Sequence, residues 1–83
     1  MKKEIKERIV QISAEYIKAS RKRMRDGVTS REVKEHIDSL NDIDLKNITS
    51  FNIGKILSAA GKFTGERRHS KRYNQDLNHW KLK

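Results

Sequence analysis

At 83 residues the chain has room for one domain, and with 34% hydrophobic and 37% charged side chains its core is thin. It contains no cysteine, which excludes a disulfide framework and a thiolate zinc site. A net charge of +9 directs its surface toward polyanions. The opening MKKEIKER is charged and leads into no apolar run of the kind a secretion signal or a membrane span needs, so a cytoplasmic protein is expected.

In chain order, residues 1–20 are expected to form a long amphipathic helix. Ile5, Ile9, Ile12 and Tyr16 recur at one helical stripe, and Val10 and Ile17 form a second, weaker one. That second stripe either widens the core face or supplies a contact to a second copy. Arg21, Lys22, Arg23 and Arg25 against Asp26 follow as a cationic run that ends at Gly27. Gly27-Val28 is expected to be a short strand. Thr29-Ser30-Arg31-Glu32 is a capping box opening a helix over 29–40, with Val33, Ile37 and Leu40 inward. The acids of 28–48, Glu32, Glu35, Asp38, Asp42 and Asp44, outnumber Arg31, Lys34 and Lys46, so this middle stretch is net acidic. Ser39 to Asn47 reads as a polar turn with Ile43 and Leu45 as plugs and Asp42 and Asp44 in turn hydrogen bonds.

Thr49 or Ser50 caps a third helix over 49–60 with Ile53, Ile56, Leu57 and Ala60 inward, and Gly61 stands at the left-handed C-terminal position. Gly54 inside it costs about 1 kcal/mol against Ala and marks the close approach of another helix. The period then changes. Residues 62–82 are expected to form a hairpin: a strand over 62–68, a basic tip over 69–74, and a return over 75–82 with Trp80 and Leu82 on one face. The fold class is thus mainly α with a C-terminal β-hairpin, in one domain over 1–83.

The segment Ile53-Gly54-Lys55-Ile56-Leu57-Ser58-Ala59-Ala60-Gly61-Lys62-Phe63, followed by Arg67, Arg68, Lys71, Arg72 and then Trp80-Lys81-Leu82, resembles winged helix–turn–helix domains. It is similar to those of phage and plasmid replication proteins and of small viral and archaeal transcription regulators. The likeness covers about residues 28–83, with a longer second turn than usual and an uncommon Phe51. It implies a three-helix fold with a short first strand and a wing, and a double-stranded DNA-binding protein, a transcriptional regulator or replication accessory factor, associated with the nucleoid.

In such a fold the third helix enters the major groove and the wing reaches the backbone or minor groove. The helical wheel leaves Phe51, Asn52, Lys55, Ser58 and Ala59 outward. Asn52 suits adenine and Lys55 guanine; Phe51 either touches a thymine methyl or folds back onto the core. Thr49 and Ser50 are phosphate donors or plain caps. Arg67, Arg68, Lys71 and Arg72 with His69 make the wing cationic, with Tyr73 beside them to stack or pack on the hairpin. Arg31 sits where this fold often meets a phosphate, and Arg21, Lys22 and Arg23 form a second backbone-contact patch. Two other readings stand: a structured-RNA binder, reading A-form shape with the same surface, and a protein-interaction adaptor or inhibitor using the acidic 32–44 stretch.

Nothing points to an enzyme, a cofactor or a small-molecule substrate. His36, His69 and His79 lack the spacing of a helical metal pair, the aspartates lack the calcium-loop pattern, and no glycine-rich phosphate loop is present.

Overall fold

Local chemistry sets most element boundaries. The computed structural model describes residues 2–83, so Met1 of the expected first helix lies outside the described residues. Helix α1 spans Lys3–Ser20, strand β1 Val28–Thr29, helix α2 Ser30–Ser39, a 3-10 turn Ile43–Leu45, helix α3 Ser50–Ala60, and strands β2 Phe63–Ser70 and β3 Gln75–Leu82. The three strands form an antiparallel sheet in the order β1-β3-β2. Three helices on a C-terminal hairpin make a small α+β fold whose layout is compatible with a winged helix. No helix among the described residues is long and apolar enough to cross a membrane.

Thr29 ends β1 and caps α2. The Glu32 N–H donates to Thr29 Oγ1 at 3.2 Å and the Thr29 N–H donates to Glu32 Oε1 at 3.0 Å, the expected reciprocal box. Thr49, not Ser50, caps α3, accepting from the Asn52 N–H at 3.1 Å. Gly61 closes α3 at φ 74°.

The core is Ile9 and Ile17 of α1, Val28, Val33 and Ile37, Leu45 and Ile48, Ile53 and Leu57 of α3, with Phe63 and Trp80 from the sheet. Several expectations change here. On α1 the buried line runs through Ile9, Ser13, Ile17 and Ser20, while Ile5, Ile12 and Tyr16 are only partly buried. Ile17 is a core residue at 5% exposure, so it is not free to contact a second copy; Val10 alone of that stripe keeps an open side. Within 39–47 only Leu45 plugs the core. Ile43 is 84% exposed, because the 3-10 turn places the two residues on different sides, and Ile48 takes the second buried position. Leu40 is exposed as well, since α2 ends at Ser39 and Asn41 turns the chain away at φ 54°. The first strand starts one residue later than expected, at Val28. The paired strands extend to Ser70, which shortens the tip to residues 71–74. Leu82 shares the Trp80 face as expected but is 38% exposed at the end of the sheet.

Two glycines hold the sheet to the helices. Gly27 turns into β1 at φ 98°, and a Cβ there would lie 2.9 Å from the Trp80 carbonyl oxygen. A Cβ on Gly65 would lie 2.7 Å from Trp80 Cζ3, so the absent side chain is what lets the indole lie across β2. The Trp80 Nε1–H then donates to Ser30 Oγ at 3.0 Å, tying β3 to the first turn of α2. A Cβ on Gly54 would lie 3.3 Å from that same Ser30 oxygen, so the close approach expected at Gly54 comes from the start of α2.

Candidate nucleic-acid interface

Because Ile53, Ile56 and Leu57 turn inward, α3 exposes the opposite side: Phe51, Lys55, Ser58 and Ala59 are open to solvent and Asn52 is half-buried. Phe51 does not fold back onto the core; it is 69% exposed and carries Lys55 Nζ over its ring at 4.9 Å from the centroid. This pairing holds an aromatic ring and an ammonium together on the exposed side of the helix.

The hairpin register brings the wing beside this surface. Gly65 pairs with Trp80 and Arg67 with Asn78, and residues two apart on a strand share a face. Arg67 and Asn78 therefore continue the Trp80 face beyond the indole. With Asp76 one step further along that face, Ser30 and Arg31 of α2, and Ser50, Phe51, Lys55 and Ser58 of α3, they line an open groove of about 560 Å³. The roof over Trp80 and Gly65 is thus the support for a concave polar surface between α3 and the hairpin.

The charges in this groove are available. Arg31, Lys55 and Arg67 enter no ion pair among the described residues, nor does Lys71 at the tip. Arg31 lies over the Tyr73 ring at 5.1 Å, and with the Gln75 amide oxygen turned toward it donates at 3.1 and 3.3 Å. Thr49 accepts the capping bond through its oxygen and keeps its own O–H to donate, so capping and phosphate contact do not compete for the same hydrogen.

Other expected contact residues are engaged elsewhere. Arg68 points to the opposite face of the hairpin, pairing with Asp26 at 3.4 Å and Glu66 at 3.1 Å. Arg72 reaches back to α2, 2.7 Å from Glu35 and 3.7 Å from Glu32, and stacks over Tyr73 at 5.3 Å. The hairpin tip is thereby fastened to α2, and two of the acids read as a partner face are occupied by this arginine. The pair Asp42 and Asp44 is engaged with Arg8, and Asp42 also accepts the expected turn bond from the Asp44 N–H. Asn52 lies on the α1 side of α3, outside the groove. The Arg21–Arg25 run lies apart too: Arg21 and Arg25 border a depression with Lys81 and Leu82 at the open end of the sheet.

Among the described residues Tyr73 has a titratable group in an unusual setting. Its hydroxyl is screened from solvent with no geometric hydrogen-bond partner, and burial, followed by the nearby Glu35 carboxylate, pushes its pKa above the usual 10.0. Sequence reasoning overlooked Asn78 and Asp76 in the groove. Their place follows from the Gly65–Trp80 register, which only a strand alternation read backward from Trp80 would have suggested.

Among the described residues no cluster of three His, Asp or Glu side chains stands ready for a metal. Comparison with protein-family models, with curated proteins and with solved structures finds no match to this chain.

Proposed function

We propose that this chain binds double-stranded DNA, with α3 presented to the major groove and the β2–β3 hairpin to the adjoining backbone, as a transcriptional regulator or replication accessory factor. One observation carries the reading: three cations without carboxylate partners, Arg31, Lys55 and Arg67, converge from three elements on one groove beside the exposed side of α3. The groove also holds one acid, Asp76, which lies 3.4 Å from His69 Nδ1 and enters no ion pair with these three cations; the cations repel one another, and a phosphate partner relieves that. Ser50 and Ser58 add hydroxyls along the same face, and Phe51 offers an apolar contact for a thymine methyl.

Lys71 at the tip and Arg72 can join these. Exposed ion pairs such as Arg72–Glu35 are worth about 0.2–1 kcal/mol, so a phosphate can displace them. Five phosphate contacts on the wing side correspond to a slope of about −4 to −5 for log K against log salt. Base discrimination rests on few groups, so binding is mostly sequence-independent.

Fluorescence anisotropy of a labelled mixed-sequence duplex, competed with unlabelled duplex DNA or duplex RNA at fixed salt, tests the reading. DNA is expected to compete better, with Lys55→Gln and Arg67→Gln each weakening binding severalfold. A preference for duplex RNA, or binding indifferent to both substitutions, overturns it.

A further inference from the structure

The wing-side groove accounts for only one flank of α3. A helix lying in a major groove about 12 Å wide has a phosphate backbone on each side of it. On its other flank α3 faces the N-terminal half of α1 across a second groove, of about 1070 Å³, whose floor is apolar, Val10, Ala14 and Ile56 among it. Its rim carries Lys3 and Lys6 from α1 and Lys62 just beyond the end of α3, all exposed, alongside Asn52 and Lys55. None of these three lysines enters an ion pair among the described residues.

A second observation points the same way. The N-terminal end of a helix favours acids and side-chain caps, and α2 and α3 obey this with threonine caps. Helix α1 has Glu4 in its first turn but starts with Lys2 at the cap position, making no side-chain cap bond, and Lys3 as its first residue. Glu4 answers the helix dipole, while Lys2 and Lys3 add positive charge at its positive end, from which the helix itself gains nothing.

We infer that Lys3, Lys6 and Lys62 form a second phosphate-binding track for double-stranded DNA, gripping the backbone on the α1 side of α3. The inference rests on the duplex-DNA reading and extends it to the opposite wall of the groove. Glu7 and Glu15 line the same rim, and their charge repels phosphate. The grip therefore rests on the three lysines and is opposed by the two glutamates.

Anisotropy titrations of the full chain with a fluorescein-labelled 20-base-pair duplex, over a series of salt concentrations, test this. With both tracks engaged the slope of log K against log salt is near −7, each contact adding about 0.9. The triple variant Lys3→Gln, Lys6→Gln, Lys62→Gln should return it to between about −4 and −5, and weaken binding at least tenfold at roughly 0.1 M salt. Conversely, Glu7→Gln with Glu15→Gln should tighten binding severalfold. A triple variant that keeps the wild-type slope and affinity, or neutralised glutamates that leave affinity unchanged, overturns the second track. If Arg67→Gln still weakens binding in that case, the wing-side reading survives; if the wild-type chain does not bind the duplex, both fall.

Discussion

Ile43 and Leu45 show how far a residue's type can mislead about its role. Both are aliphatic, two apart in a polar turn, and both looked like plugs. The 3-10 turn sends Leu45 inside at 1% exposure and leaves Ile43 in water. Leu45→Ala should therefore cost about 2–5 kcal/mol by opening a cavity, while Ile43→Ser should change stability by no more than about 0.5 kcal/mol. Urea unfolding followed by circular dichroism separates the two; equal losses would contradict the packing described. At Tyr73 the chemistry is titration. The folded state holds the phenol above its usual pKa, so the stability tied to its neutral form is fully present below pH 10.0 and lost as pH rises through the folded value. Tyr73→Phe should flatten that alkaline loss. Melting curves of both proteins between about pH 8 and 11 check it, and parallel curves would show that the hydroxyl is as solvated in the fold as in the unfolded chain.

Elements differ in what their sequences disclose. The start of α2 was legible residue by residue, because a capping box is satisfied within four positions of the chain. The ends of α3 were legible for the same reason, from Thr49 and Gly61. The hairpin was legible as a hairpin, but its register was not. Register depends on Gly65 lying under Trp80 and on Ser30 accepting the indole N–H from fifty residues away, neither of which leaves a local signature. For α1 the periodicity announced a helix but not which of two neighbouring stripes would be covered. The elements packed against it decided that: the covered line runs between the two, taking Ile9 from one and Ile17 from the other. These differences predict different sensitivities. Thr29→Ala should cost about 1–2 kcal/mol through the lost cap. Gly65→Ala should cost more, since its methyl group meets the indole ring and one of the two must move. Thermal unfolding of the two variants checks the order; a Gly65→Ala protein as stable as the parent would mean that the indole has room to shift.

For the whole molecule the candidate surface was partly legible. Charge excess and the exposed side of α3 named Phe51, Lys55, Ser58, Arg31 and Arg67 correctly as neighbours. Composition had no means of separating Arg67, free in the groove, from Arg68 and Arg72, which are held by Asp26, Glu66 and Glu35. The pairings with Asp26 and Glu35 join segments about forty residues apart and exist only once the sheet has closed. Nor did charge counting reveal that Arg21 and Arg25 gather at the other end of the sheet with Lys81.

Amide and side-chain NMR shifts during titration with a short duplex read directly whether DNA seats between α3 and the hairpin. The largest changes are expected at Arg31, Phe51, Lys55, Ser58, Arg67 and Asn78, with the loop around Ile43 and the Arg68 side of the hairpin nearly still. Changes concentrated at Asp38 to Lys46, or no change at saturating duplex, would contradict it.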